Sequence, residues 1–145
     1  MVLMMISVSC NKDALTISEG VYGTVIERYG DWMPMIGGNR DHGERPVRRE
    51  VYVYEKAYIQ DLRDVFENGP YVAPEKMPLQ FIAKTSSSKK GFYQIQIPAG
   101  EYSIFILDNG KFQISGGDGY GWMCPLVIEA GQVKEVNLLL DHAVY

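Results

Sequence analysis

The side chains of this 145-residue chain that could perform chemistry are two cysteines and two histidines, and their spacing suits no common catalyst. His42 and His142 are 100 residues apart, and neither has a Cys, His or Asp at a spacing that zinc ligands use. The sequence offers no Ser-His-Asp arrangement and no G-x-S-x-G motif, so no activated nucleophile can be named. We therefore expect a protein that is not an enzyme, with no catalytic residue, metal ligand or cofactor.

Cys10 ends a short apolar stretch at the N-terminus. Residues 1–9 read MVLMMISVS, which is too short to span a bilayer, since that takes about 20 apolar residues. An apolar run followed by small residues is typical of the end of a secretory signal. The stretch Ser7-Val8-Ser9-Cys10 resembles a bacterial lipobox, in which the cysteine is lipidated and becomes the first residue of the mature chain. We expect residues 1–10 to be a signal-peptide remnant and residues 11–19 to be a polar tether with little structure. The alternative is a first β-strand or a frayed tail, although strand alternation is absent.

The lipobox resemblance implies a location for the protein. It predicts a lipid-anchored protein of the bacterial cell envelope, periplasmic or surface-exposed, with the membrane as its first partner. Cys124 would then be left unpaired, and its apolar neighbours Trp122-Met123 and Pro125-Leu126 indicate a buried, unreactive thiol. A disulfide between the two cysteines would need an oxidising compartment and an unlipidated Cys10, which makes it the minor alternative.

The charge pattern argues against a nucleic-acid partner. The formal net charge is -4, and the only tight basic groups are Arg45/Arg48/Arg49 and Lys89/Lys90. The two lysines follow three serines and precede a glycine, which is typical of a solvated turn. We therefore expect an unknown protein or glycan as the second partner, and no nucleic acid.

Both tryptophans lie in glycine-rich stretches, DWMPM at 31–35 and GYGWM at 119–123. Exposed aromatic side chains in loops can bind a glycan or a peptide, so Trp32, Tyr120 and Trp122 are candidate binding residues. The alternative is that the rings fold back over an open end of the domain, because large rings are costly to leave in water. Exposed, coplanar tryptophans would favour binding, and buried ones would favour a structural role.

The elements that carry these residues are short and alternate in hydropathy, which predicts an all-β domain of about seven strands. Gly23 in the first strand indicates a bulge or a close backbone approach. Asn109-Gly110 predicts a type I′ hairpin turn, and residues 57–78 predict a short helix or an irregular excursion. Residues 29–47 are expected to be a loop, because glycine and proline recur there. The strands are expected at 20–28, 50–56, 79–85, 92–97, 101–107, 111–115, 125–129 and 132–140.

Four of these stretches resemble one family. The run GFYQIQIPAGEYSIF at 91–105, the opening GVYGTV at 20–25, REVYVYE at 49–55 and the closing EAGQVKEVNL at 129–138 are similar to motifs of carboxypeptidase-regulatory-like domains. The resemblance covers nearly all of 20–145. It implies a seven-stranded transthyretin-like (prealbumin-like) β-sandwich with Greek-key topology, in which Tyr58–Met77 is an insertion. Domains of this kind typically act as accessory or scaffold modules.

A core follows from the predicted strands. Eight residues are expected to be largely buried: Val25, Val53, Ile95, Tyr102, Ile104, Ile106, Val136 and Leu138. Pro98-Ala99-Gly100 is expected to make a tight corner between paired strands, with the ring of Tyr102 on the core face. The sequence thus favours a non-enzymatic envelope lipoprotein that acts as an interaction or scaffold module. The alternative is an extracellular glycan- or peptide-binding module that uses the Trp32 and Trp122 loops.

Overall fold

The computed structural model describes residues 14–34 and 41–145, so Cys10 and the predicted signal-peptide remnant lie outside the described residues. Within these ranges the chain forms β-strands, one four-residue α-helix and two short 3-10 helices, at Arg63–Val65 and Pro74–Lys76. The all-β prediction is confirmed, and the helix falls in the segment that was expected to hold one. The elements are β1 Gly20–Gly30, β2 His42–Pro46, β3 Glu50–Glu55, α1 Ile59–Leu62, β4 Tyr71–Val72, β5 Phe81–Ser86, β6 Phe92–Gln96, β7 Gly100–Asp108, β8 Lys111–Gln113, β9 Pro125–Ile128, β10 Val133–Glu135 and β11 Leu138–Asp141.

The first sheet is built around β1. Along one side β1 pairs antiparallel with β6 and then β2, and along the other it pairs parallel with β10 and then β11. A Cβ atom on Gly23 would lie 2.0 Å from the carbonyl oxygen of Val136, which confirms the predicted close approach. At this point the strand expected at 132–140 breaks into β10 and β11. Asn137 Oδ1 accepts the Thr24 N–H there at 2.9 Å, so a side-chain oxygen takes the place of the backbone carbonyl that would pair with this N–H in a continuous strand.

A strand occurs where the sequence predicted a loop. β2 reads His-Gly-Glu-Arg-Pro, which contains no β-branched residue and no Phe, Tyr or Trp, and therefore gives no strand signal. It pairs with the second half of β1, from Ile26 opposite Pro46 to Gly30 opposite His42. Most of its side chains are exposed, as an edge strand allows. The prediction of a loop across 29–47 is therefore wrong for β2, whose conformation is set by the partner strand.

The second sheet has the order β4-β8-β7-β3-β5, and β9 follows β8 along the same side of β7. The turn between β7 and β8 has φ angles of 51° at Asn109 and 78° at Gly110, in agreement with the predicted type I′ turn. The corner Pro98-Ala99-Gly100 joins β6 of the first sheet to β7 of the second. The two strands that it joins therefore belong to different sheets and are not paired with each other, although the sequence predicted a pair. The Tyr102 hydroxyl donates a hydrogen bond back to the Pro98 carbonyl at 2.8 Å.

The main core lies between the two sheets. Of the eight residues expected in it, six are buried, whereas Val136 and Leu138 are only partly buried because they flank the break at the open edge of the first sheet. The buried members are Val21, Val25, Val51, Val53, Tyr93, Ile95, Ile97, Tyr102, Ile104, Ile106, Leu126, Ile128 and Leu140.

A second apolar cluster covers the outer face of the second sheet. The insertion supplies Leu62, Val65, Phe66, Val72 and Met77, which pack against side chains that β3, β7 and β8 direct away from the main core. Its buried members are Tyr54, Ala57, Leu62, Val72, Phe105, Phe112 and Ile114. This cluster explains why β7 is apolar on both faces: one face meets the first sheet and the other meets the insertion.

Candidate functional site

Trp122 is buried, although the sequence made it a candidate for binding. Its indole N–H contacts the Tyr102 carbonyl at 3.1 Å and the Ser103 hydroxyl at 3.2 Å, and its side chain is 9% exposed. The Lys56 ammonium lies 4.2 Å from the centre of the ring, within the range of a cation–π interaction. Lys56 also forms an ion pair with Glu101 at 2.7 Å. One face of the ring is thus covered by a lysine of the protein itself, and Trp122 closes the sandwich beside the start of β7.

Trp32 is half-buried and lies at the other end of the sandwich. Its indole N–H donates to the Tyr29 carbonyl at 3.0 Å, and its ring centre lies 4.4 Å from that of His42. Trp32 lies just after the end of β1. This end of β1 is close to the end of β7, because Arg49 forms ion pairs with Glu27 of β1 and with Asp108 of β7. Trp122 packs near the start of β7. The two tryptophans therefore do not form one surface.

Tyr120 is the candidate ring that is presented to solvent, with 91% of its surface exposed. Its loop has a defined geometry because Asp118 Oδ1 accepts the backbone N–H groups of Tyr120 at 2.7 Å and of Trp122 at 3.1 Å. Among the three sequence candidates, an exposed aromatic contact is therefore available at Tyr120 alone.

Ser103 holds this end of the molecule together and was not singled out from the sequence. Its side chain is fully buried. The hydroxyl donates to the Met123 carbonyl at 2.7 Å and accepts the Ala57 N–H at 2.9 Å. Ser103 thus fixes the start of the insertion and the segment that leads into β9. The available signal was a single polar residue in the apolar run Tyr102–Leu107.

An apolar cleft of about 350 Å³ opens between the two sheets on the side of β10 and β11. Its walls include Ile104 and Ile106 from β7, Leu138 and Leu140 from β11, and Cys124. On the opposite side of the sandwich, β5 approaches β6 closely. The sandwich is therefore open along one side, where a small apolar group could enter.

Cys124 lies on the wall of this cleft and is half-buried, so it is less enclosed than the sequence suggested. Its thiol donates to the Ser115 carbonyl at 3.1 Å. Burial raises the pKa of the Cys124 thiol to about 11. The thiol is therefore protonated at neutral pH and is a poor nucleophile.

A charged cluster closes the end of the sandwich where β1 and β7 finish. Glu27 points inward from β1 and is 7% exposed. It pairs with Arg45 at 2.6 Å and with Arg49 at 3.3 Å, and Arg49 reaches Asp108 at 2.9 Å. His142 Nε2 lies 2.8 Å from the second oxygen of Asp108. Each carboxylate thus faces an arginine of the protein itself, an arrangement suited to holding strands together. A charge at an inward position of an alternating strand was the signal for Glu27.

The N-terminal segment, residues 14–19, is bound to β6. Gln94 accepts the Thr16 N–H at 2.8 Å and donates to the Ala14 carbonyl at 3.1 Å. Gln96 accepts the Ser18 N–H at 2.9 Å. Six of the nine residues expected to form a tether with little structure are therefore held against the domain.

Neither a metal-binding cluster nor a membrane-spanning helix is present in the part of the chain that the structure describes. In that part, no group of three or more His, Cys, Asp and Glu side chains is placed to hold a metal ion. Within the same ranges, no helix is long and apolar enough to cross a membrane. Comparisons with protein-family models, with curated proteins and with solved structures found no match to this chain.

Proposed function

We propose that this chain is a bacterial envelope lipoprotein, anchored through a lipid on Cys10, whose β-sandwich is a non-enzymatic interaction or scaffold module. The observation that carries the proposal is the stretch Ser7-Val8-Ser9-Cys10, which closes the apolar N-terminal run. The position of the cysteine also supports it, because Cys10 precedes by only four residues a segment that is bound to the sandwich.

The chemistry of the described side chains supports a scaffold. The thiol of Cys124 is protonated, and the carboxylates of Glu27 and Asp108 are engaged by cations. Trp122 is used to close the sandwich and does not form a platform with Trp32. These features favour the scaffold over a glycan- or peptide-binding module built on the two tryptophans.

The finer assignment of the fold is also part of the proposal. We propose a transthyretin-like Greek-key sandwich of the carboxypeptidase-regulatory-like type. Its support is the motif at 91–105, in which Pro98-Ala99-Gly100 turns the chain from one sheet to the other and Tyr102 bonds back to Pro98. An experimental structure with its strand connections traced would test this assignment.

The anchor is tested by metabolic labelling with a palmitate analogue, with the gene expressed behind its native upstream sequence. The wild type should incorporate the label and stay with the membrane fraction, and Cys10→Ala should do neither. Cys124→Ala is the matched control, because it removes the other cysteine and should label like the wild type. Equal labelling of the wild type and Cys10→Ala would refute the anchor.

A second candidate function, peptide binding, is favoured by the free edge of β11. Within the described residues β11 pairs only with β1. It reads Leu-Leu-Leu-Asp and so lacks the lysine or proline that commonly protects an edge strand. The apolar cleft adjoins it, and Leu139 is 39% exposed. An extended apolar peptide could add a strand here and place side chains in the cleft.

A photo-crosslinking amino acid at position 139 would test this candidate, with the bound peptide mapped by mass spectrometry. The crosslink should join an extended apolar segment, and it should be lost when Leu138→Lys is added but kept with Leu15→Lys, a change at an exposed leucine far from the cleft. Crosslinking that survives Leu138→Lys would rule out strand addition at β11.

A further inference from the structure

The N-terminal segment leaves the domain at a fixed place. The side-chain amide of Gln94 contacts both the Ala14 carbonyl and the Thr16 N–H, so a side chain of β6 holds the backbone of this segment. Gln96 repeats the contact at Ser18 through its Oε1 atom. The N-terminal segment therefore approaches the sandwich from the side on which β6 lies.

The distance from the proposed anchor to this place is short. The four residue steps from Cys10 to Ala14 span at most about 14 Å when fully extended. A free tether over all of 11–19 would reach about 30 Å. Because residues 14–19 are bound, a lipid on Cys10 brings the β6 side of the sandwich close to the bilayer surface.

Three exposed cations lie on this side of the molecule, and we call Arg48, Lys89 and Lys90 the basic edge. Arg48 and Gln94 line the same polar cavity of about 220 Å³, together with the hydroxyl-bearing residues 85–88. Lys89 and Lys90 continue the turn that these residues begin. Lys90 also lines a neighbouring cavity with Arg45 and Glu44, which pair with Glu27 and Arg28 respectively. The basic edge is thus contiguous with the point where the N-terminal segment is bound.

The charges of the basic edge are not neutralised within the described part of the protein. None of its three side chains forms an ion pair with another described residue, unlike those of Arg28, Arg45, Arg49, Lys56, Lys76 and Lys111. Arg63, Lys84 and Lys134 form none either, but they lie on three separate elements and make no cluster. The neighbouring carboxylate Glu50 pairs in register with Ser86, but strand alternation directs it to the outer face with Tyr52. Three free positive charges on a chain of net charge -4 indicate an anionic partner for this edge.

We infer that the basic edge faces the membrane and contacts the headgroups of anionic phospholipids, an inference that rests on the proposed anchor at Cys10. Each lysine or arginine near an anionic surface favours binding roughly fivefold, so three together favour it about a hundredfold. The lipid then holds the protein to the bilayer, and the basic edge fixes its orientation. The cleft beside β11, on the opposite side of the first sheet from β6, is left facing away from the membrane.

The first test uses the native lipidated protein in vesicles of phosphatidylcholine alone or with 30 mol% phosphatidylglycerol. A membrane-impermeant amine reagent labels exposed lysines, and mass spectrometry compares Lys89 and Lys90 with Lys76, which lies on the insertion. Phosphatidylglycerol should lower the labelling of Lys89 and Lys90 severalfold relative to Lys76, and about 0.5 M NaCl should abolish the difference by screening. Equal ratios on the two vesicles would overturn the inference.

The second test separates this inference from the anchor. The purified full-length Cys10→Ser chain is sedimented with the same anionic vesicles, with and without Arg48→Gln, Lys89→Gln and Lys90→Gln together. The triple change should lower the partition coefficient roughly a hundredfold at low salt. The matched triple change Arg63→Gln, Lys76→Gln and Lys134→Gln removes the same charge from the insertion and β10, away from the basic edge, and should lower it only a few-fold. Similar losses in the two triple variants would overturn the basic edge, whatever the state of Cys10.

Discussion

At the scale of single residues, Ser103 is a position where the loss of one hydroxyl group should destabilise the fold. Its hydroxyl pairs two backbone groups, the Ala57 N–H and the Met123 carbonyl, in a fully buried setting. Ser103→Ala leaves both unpaired, and each unpaired buried group costs about 1–3 kcal/mol. The free energy of unfolding from urea titration should fall by at least the lower figure. Ser115→Ala, an exposed control, should change it by less than about 0.5 kcal/mol. Equal urea midpoints for Ser103→Ala and wild type would contradict the account.

Cys124 should show a pH dependence set by its raised pKa. Because the pKa of the folded thiol is about 11 instead of 9, its thiolate fraction at pH 8 is about a hundredfold lower than that of an unperturbed cysteine. Alkylation of the folded Cys10→Ala variant should therefore be slow at pH 8 and should rise steeply up to about pH 11. The neutral thiol stabilises the folded state fully below pH 9, and this stabilisation is lost as the pH rises towards 11. A reaction rate that levels off near pH 9 would contradict the raised pKa of the thiol.

Some residues could be recognised from the sequence and others could not. Gly23 stood out because a glycine interrupts a β-branched strand, and its close approach to Val136 is what that pattern indicates. Trp122 was recognised as important, but its burial depends on Ser103 and Lys56, which are distant in sequence. The amide of Gln94 has no local signal at all, because its partners Ala14 and Thr16 meet it only in the folded chain.

At the scale of elements, the joint between β1, β10 and β11 depends on the absence of a side chain at Gly23. An alanine Cβ there would lie 2.0 Å from the Val136 carbonyl oxygen, so the strands must separate. Gly23→Ala should destabilise the fold by several kcal/mol, the range of strained or overpacked core changes. Gly43→Ala is the control, because its nearest neighbour is the movable end of the Tyr29 side chain. Thermal melts in which the two variants behave alike would contradict the described register.

The insertion is held to the second sheet by its own apolar cluster. Leu62 is fully buried in it, so Leu62→Ala should cost about 2–5 kcal/mol through lost burial and a cavity. The rate of amide hydrogen exchange should rise first in residues 57–78, because Leu62 does not belong to the main core. Ile104→Ala, in the main core, should instead raise exchange across both sheets. Identical exchange patterns in the two variants would argue against two separate clusters.

Individual elements were predictable to different degrees for physical reasons. β3, β5, β6 and β7 carry alternating or continuous apolar residues and were placed within a residue or two. β2 has no such pattern and forms because β1 offers a free edge. The packing of the insertion was not predictable, since Leu62 and Phe66 have helical spacing but the α-helix is only four residues long and is followed by short 3-10 turns.

At the scale of the whole molecule, the sequence correctly predicted an all-β protein, and the structure adds the arrangement in two sheets with a second apolar cluster outside them. The direction of the N-terminal segment could not be predicted, because it depends on Gln94 and Gln96. That direction gives the proposed lipoprotein a definite orientation, with the β6 side towards the bilayer and the cleft beside β11 away from it.

The most direct test of the central claim is the mass of the N-terminal peptide of the mature protein, isolated from membranes of cells that express the gene with its native upstream sequence. The account predicts a chain that begins at Cys10 and carries two or three acyl chains, since one chain alone binds a membrane only marginally. Cys10→Ala should yield no such peptide. A mature protein that retains residues 1–9 and is recovered unmodified from the soluble fraction would contradict the account.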